Sequence, residues 1–171
     1  MSEGELKEEV DPELTEFVFE DSETVTTIWI DHYADYPDWD ESQWVDNPEA
    51  YRNALACGHL MYRKNGGKYF QFTPDWIPAA GIAEIKRYID LFVDGEIDEF
   101  GATPTTGCFA DELPPIQIAM RRNEGRVFVR FIDNGRYSYD LGHSVEQELT
   151  EERLKELQGY FTRINQYWPP R

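Results

Sequence analysis

Positive charge is what the start of this chain lacks. Its first fifty residues hold one basic residue, Lys7, against seventeen Asp or Glu, a formal charge of −16. The other 121 residues hold fifteen Lys or Arg against seventeen acids, or −2, so nearly all of the net −18 sits at one end. Lysine is scarce throughout, confined to Lys7, Lys64, Lys68, Lys86 and Lys155. A ligand rich in phosphate needs clustered Lys and Arg to displace its counterions. The charge therefore argues against nucleic acid as a direct ligand, and against an anionic membrane surface.

Cysteine is also sparse. Cys57 and Cys108 fit the reduced thiols of a cytosolic protein and allow at most one disulfide. No apolar run approaches the roughly 20 residues that span a bilayer. The opening MSEGELKEEVDPEL lacks the basic and apolar regions of a secretory signal. These absences predict a cytoplasmic protein. What is abundant is apolar and aromatic residues, at 40 % and 15 %, too many for a disordered chain. A length of 171 residues suffices for one well-buried core and is tight for two.

The patterning predicts antiparallel strands and two helices. Residues 1–14 read as a flexible acidic arm, and 15–171 as one domain. Phe17-Val18-Phe19 and Thr24 to Ile30 form a hairpin about Asp21-Ser22-Glu23, on their β-branched and aromatic content. Asn47-Pro48 suggests a cap and first position of a short helix over 48–56. Gly58 to Arg63 and Lys68 to Thr73 alternate around Asn65-Gly66, a hairpin signal. Ile82, Ile85, Ile89 and Phe92 recur at helical spacing up to Gly95.

Residues 101–115 read as a Gly/Thr/Pro-rich loop. A meander of three strands follows: 116–120, 127–132 and 136–141, with turns at Asn123-Glu124-Gly125 and Asn134-Gly135. Thr150 caps a final helix with Glu151 and Glu152 in its first turn and Leu154, Leu157, Phe161, Ile164 and Trp168 along one stripe. The fold class expected is α+β: a single domain whose twisted, mainly antiparallel sheet of about five to seven strands carries two amphipathic helices on one face. No internal repeat is visible.

The segment DHYADYPDWDESQWVDNPEA, residues 31–50, carries the functional expectation. Its acids alternate with bulky aromatics. Interfaces favour Trp and Tyr as anchors, and charges at the rim set orientation and association rate. Asp35, Tyr36, Asp38, Trp39, Asp40, Glu41, Trp44, Asp46 and Glu49 are the expected partner-binding residues. Carboxylates spaced along an exposed surface imitate phosphates before an Arg-rich protein. The plain alternative makes the aromatics core and the acids a solvated face.

Other constellations are thinner. Asp38, Asp40, Ser42, Asp46 and Glu49 fall at calcium-loop spacing, but Gln43 replaces the turn glycine and Pro48 precedes Glu49. Cys57 and His59, with His32 and Cys108, would make a meagre zinc set, and a lone Cys in an apolar strand is more often core. Asp140, His143 and Ser144 lack the strained Gly-x-Ser-x-Gly turn. Gly101 to Gly107 lacks the Gly-Lys-Ser/Thr of a phosphate loop. Arg121, Arg122, Arg126, Arg130 and Arg136 form a basic stripe that could bind a second partner or neutralise the acidic segment internally.

These patterns lead to a non-enzymatic acidic protein, with no cofactor and no metal. It would neutralise a basic partner, such as a nuclease toxin or a nucleic-acid-binding protein, by occluding that partner's nucleic-acid or substrate site. Toxin-immunity proteins, antitoxins and phage anti-defence inhibitors work in this way. The alternatives are a calcium- or zinc-binding protein or metal-dependent enzyme, and a generic domain from a halophile. A halophilic origin fits the scarcity of Lys but not the near-neutral last 121 residues.

Overall fold

The computed structural model describes residues 15–33, 53–65, 69–71, 75–102, 116–133 and 144–171. Its first sheet contains β1 (Glu16–Glu20), β2 (Thr24–Tyr33), β3 (Ala54–Arg63), β4 (Tyr69–Gln71) and β5 (Asp75–Pro78), followed by helix α1 (Ala79–Val93). The second contains β6 (Glu99–Ala102), β7 (Ile116–Asn123), β8 (Arg126–Asp133) and β9 (Ser144–Leu149), followed by helix α2 (Glu151–Tyr167). Every described strand pairing is antiparallel. The α+β class holds, with the strands divided between two sheets.

Because β2 occupies one side of β3, β4 and β5 share the other. Leu60–Tyr62 pair with β4, and Ala54–Cys57 with β5. The two short strands thus act as one interrupted edge. The first sheet is then a four-stranded meander leading into a helix, and the second sheet repeats that order. The sequence shows no such repeat, because only the alternation of burial has to recur, not the residues.

That alternation is clear where the side chains are described. In β1, Phe17 and Phe19 are buried between exposed Glu16, Val18 and Glu20. In β8, buried Val127, Val129 and Phe131 alternate with outward Arg126, Phe128 and Arg130. The period of two sends each set to one face. Helix α1 buries Ile82, Ile85, Ile89 and Phe92; α2 buries Leu154, Leu157, Tyr160, Phe161 and Ile164. Both helices and both sheets share one apolar core. Phe19 of the first sheet meets Phe131 of the second edge-on, ring centres 4.4 Å apart.

Local chemistry fixes the turns. Asp21 Oδ1 accepts from the Glu23 and Thr24 backbone N–H groups, both at 2.7 Å, which closes the β1–β2 turn. Glu124 (φ 50°) and Gly125 (φ 77°) join β7 to β8 as a two-residue turn with both residues left-handed. Gly58 lies opposite Trp29, whose indole covers the space a side chain at 58 would need. The Thr150 hydroxyl caps α2 by accepting from the Arg153 N–H at 3.2 Å.

Three expectations need correction. Residues 54–56 belong to β3, not to a helix over 48–56: fully buried Ala54 and Leu55 pair with Pro78 and Ile77, and tertiary pairing outweighs alanine's helix propensity. The loop expected from 101 gives way to β6, which reaches Ala102. The strand paired with β8 opposite β7 is Ser144–Leu149, not 136–141. Its polar sequence SVEQEL hides it, because outward Glu146 and Glu148 are matched by Arg121 of β7 and Arg126 of β8.

Two buried polar groups make opposite predictions. The fully buried Tyr160 hydroxyl donates to the Thr15 carbonyl at 2.9 Å. Tyr160→Phe orphans that contact and should lower unfolding stability by about 1–3 kcal/mol in denaturant titration. Gln147, 3 % exposed, finds no hydrogen-bond partner for either amide atom among the described residues. Gln147→Met keeps the length and removes the unpaired dipole, so the same titration should show a gain of roughly 1–3 kcal/mol.

Candidate functional site

The expected partner-binding residues Asp35, Tyr36, Asp38, Trp39, Asp40, Glu41, Trp44, Asp46 and Glu49 lie outside the described residues, as does the whole calcium-type pattern. The structure does describe the two ends between which they are strung. Tyr33 closes β2, and Asn53 immediately precedes β3, its antiparallel neighbour. The acidic segment therefore leaves and re-enters the first sheet at the same end.

Both ends are tied to residues that follow α2. The Tyr33 hydroxyl donates to the Pro169 carbonyl at 2.5 Å, and the Arg171 guanidinium lies 3.5 Å from the Tyr33 ring centre. The Arg171 N–H donates to Asn53 Oδ1 at 2.6 Å, and the Asn53 carbonyl accepts from the first residue of α1, Ala79, at 2.8 Å. The sequence places Tyr33 among the aromatics of residues 31–50 and gives no reason to single out Asn53. Their positions, flanking the acidic run at the ends of two strands, are the signal that could have found them.

The arginine stripe divides between two faces. Arg121, Arg126 and Arg130 stand on the outward face of the second sheet, while Arg136 lies outside the described residues. Arg122 turns toward α1, donates to the Phe92 carbonyl at 3.0 Å and places its guanidinium 4.7 Å from that ring's centre. On the outward face, Arg121 grips Glu146 through Nη2 at 2.8 Å and Nε at 3.4 Å. Arg126 grips Glu148 at 2.8 and 2.5 Å. Both guanidiniums also lie over the Phe128 ring, at 4.4 and 5.2 Å. Beside them a depression of about 470 Å³ runs over Gly101 and Ala119, bordered by Arg130 and Glu99.

These pairs bear directly on whether the stripe absorbs the acidic segment. Arg121, Arg122 and Arg126 are met by Glu146, Asp98 and Glu148, all from the last 121 residues. Lys86 pairs with Asp90, Arg153 with Glu156 and Lys155 with Glu151, again within that part of the chain. Lys64 with Glu20 is a pair that crosses to the first fifty residues. Among the described residues, Arg121, Arg122 and Arg126 of the second sheet are balanced locally.

The remaining sequence candidates fall partly outside the described residues. Cys57 is 4 % exposed within the apolar core, the position of a small core residue. His59 stands two residues along the same strand, opposite Ile28, while Cys108 lies outside the described residues. Ser144 begins β9 opposite Ile132, and Asp140 and His143 lie outside the description. Among the described residues no group of three His, Cys, Asp or Glu is placed to hold a metal ion. Nor is any described helix long and apolar enough to cross a membrane.

No protein-family model matches the sequence, and no curated protein does. Among solved structures, the chain is similar to Trypanosoma brucei MRP1/MRP2 at 10 % identity and a TM-score of 0.43, covering 84 % of this chain and 74 % of that one. It is also similar to WHY1 from Arabidopsis thaliana at 10 % identity and a TM-score of 0.45, covering 90 % and 89 %.

The hydrogen bond from Arg121 holds the Glu146 carboxyl below its ordinary value against the opposing effect of slight burial. The bond from Arg126 does the same for Glu148. A depressed folded pKa stabilises above the unfolded value, near 4.5, and is lost as pH falls through the folded value. The melting midpoint of the wild type should thus fall more steeply below about pH 4.5 than that of Glu146→Gln/Glu148→Gln. Parallel acid limbs in a calorimetric pH series would show that the pairs contribute nothing.

Proposed function

We propose that this chain is a non-enzymatic acidic binding protein that neutralises a basic partner protein by covering its nucleic-acid or substrate site, as toxin-immunity, antitoxin or phage anti-defence proteins do. The supporting observation is a separation of charge. The first fifty residues carry −16, while Arg121, Arg126 and Arg122 of the second sheet are matched by Glu146, Glu148 and Asp98 of their own part of the chain. Three arginines of the stripe are thus engaged within their own part of the chain, which supports a reading in which the acidic segment acts on a partner.

The acidic segment is the working surface of this proposal. Asp35, Asp38, Asp40, Glu41 and Asp46 supply attraction and orientation; Trp39 and Trp44 supply apolar anchors, with Tyr36 and Glu49 at the margin. Rim charges act mainly on the rate of encounter, so association is fast and salt-sensitive. Cytoplasmic residence follows from the same proposal, since that is where such partners meet nucleic acid.

The experiment compares two charge reversals of equal size. Asp38→Lys/Asp40→Lys/Glu41→Lys changes the loop; Glu3→Lys/Glu5→Lys/Glu8→Lys changes the arm. The readout is release of a labelled DNA duplex from an arginine-rich peptide. The loop reversal should slow release by about tenfold or more at low salt, and the arm reversal by much less, because only the loop combines charge with aromatic anchors. Equal effects would reduce the acidity to a general field, and no effect from either would end the proposal.

A further inference from the structure

Strict alternation along β2 would send Tyr33 to the outer face of the first sheet with Thr27 and Trp29, because Ile28 and Ile30 turn to the core. Tyr33 does not go there. Ile30 pairs with Cys57 and Tyr33 with Leu55, so three steps along β2 match two along β3. The extra residue is a β-bulge, and it reverses the parity of the strand's last residue. Tyr33 therefore falls in line with fully buried Leu55 and packs, half-buried, against the core.

On that face Tyr33 meets the chain beyond α2. Its hydroxyl donates to the Pro169 carbonyl, which fixes the tip, and the Arg171 guanidinium lies over the ring, which fixes the plane. Asn53 completes the arrangement where the chain returns to β3. Its side-chain oxygen accepts from the Arg171 N–H, and its carbonyl accepts from Ala79 at the start of α1. Four separate parts of the chain thus close one clasp. Tyr33, Asn53 and Pro169 are uncharged, so the clasp fixes geometry and leaves the charge of the first fifty residues unchanged.

We propose that Tyr33 and Asn53 are positioning residues: the bulge turns Tyr33 inward, and the clasp with Pro169 and Arg171 aims the acidic segment where it leaves β2 and rejoins β3. This rests on the function proposed above, and adds how that segment's charge is oriented. The amount of charge sets how strongly a basic partner is drawn in. Register and direction of approach depend on how the charge is mounted. Ends held by the fold also spare binding part of its ordering cost. Bulges recur beside functional sites because they re-aim a side chain, as this one re-aims Tyr33.

In the test, the full chain competes at low salt, well below its melting midpoint, for an arginine-rich peptide that carries a labelled DNA duplex. Tyr33→Leu removes the hydroxyl and the ring, Asn53→Ala removes the acceptor for the Arg171 N–H, and both keep the net charge of −18. Each should slow release of the duplex by about threefold or more. Tyr33→Phe, which keeps a ring beneath Arg171, should recover part of the rate. Tyr160→Phe weakens the fold elsewhere at the same net charge, and should release the duplex as fast as the wild type. Circular dichroism establishes that each variant is folded, and Asn53→Ala decides alone if Tyr33→Leu is not. Wild-type rates for the folded clasp variants, or equal slowing by Tyr160→Phe, overturn the clasp. The acidic-protein proposal then stands if Asp38→Lys/Asp40→Lys/Glu41→Lys still slows release, and falls with the clasp if that reversal changes nothing.

Discussion

A buried hydroxyl has to find a partner, and Tyr160 finds one where the fold's parts meet. Its side chain is fully buried, and burial raises its pKa far above the usual phenol range, so it remains a neutral donor. The hydrogen bond to Thr15 holds α2 against the beginning of β1. The ring packs 5.5 Å from Phe17 and 5.2 Å from Phe161, and the row continues from Phe17 to Phe19 and across to Phe131 of the second sheet. Directional bonding at one point thus sets the register of contacts that are otherwise only apolar. The position of α2 in turn sets where the residues beyond it meet Tyr33 and Asn53.

Charge is arranged on the opposite principle. Acids and bases of the last 121 residues pair locally on strands and helix faces, where solvent screening leaves each pair little to contribute to stability. Their consequence is for the field, since a guanidinium already held by a carboxylate adds little positive potential. The first fifty residues have no comparable supply of bases. The acidic run leaves the sheet after Tyr33 and returns at Asn53, and both ends are bound to Pro169 and Arg171. The acidic run is thereby anchored to the core at both of its ends.

Much of this was legible in single residues. The stripes Ile82–Ile85–Ile89–Phe92 and Leu154–Leu157–Phe161–Ile164 determined both helices, because a period of 3.6 with one apolar face has few other uses. Thr150 determined where α2 starts, and Glu124-Gly125 where β7 turns into β8. The strong alternation of β1 and β8 marked strands with one buried face. The −16 of the first fifty residues, and the aromatics within it, were equally plain.

Tertiary structure alone decided the rest. SVEQEL became a strand because β8 offered it a full ladder of backbone partners, with Arg121 of β7 and Arg126 of β8 meeting Glu146 and Glu148, and pairing between segments distant in sequence leaves no local signature. Ala54-Leu55-Ala56 became part of β3 because Pro78, Ile77 and Trp76 were there to pair with it. The basic stripe looked like one surface in sequence, and the fold split it, turning Arg122 to Phe92 and leaving Arg121 and Arg126 over Phe128. Likewise, composition determined how much charge the chain carries, whereas which charges cancel is a matter of distances of a few ångströms between residues far apart in sequence.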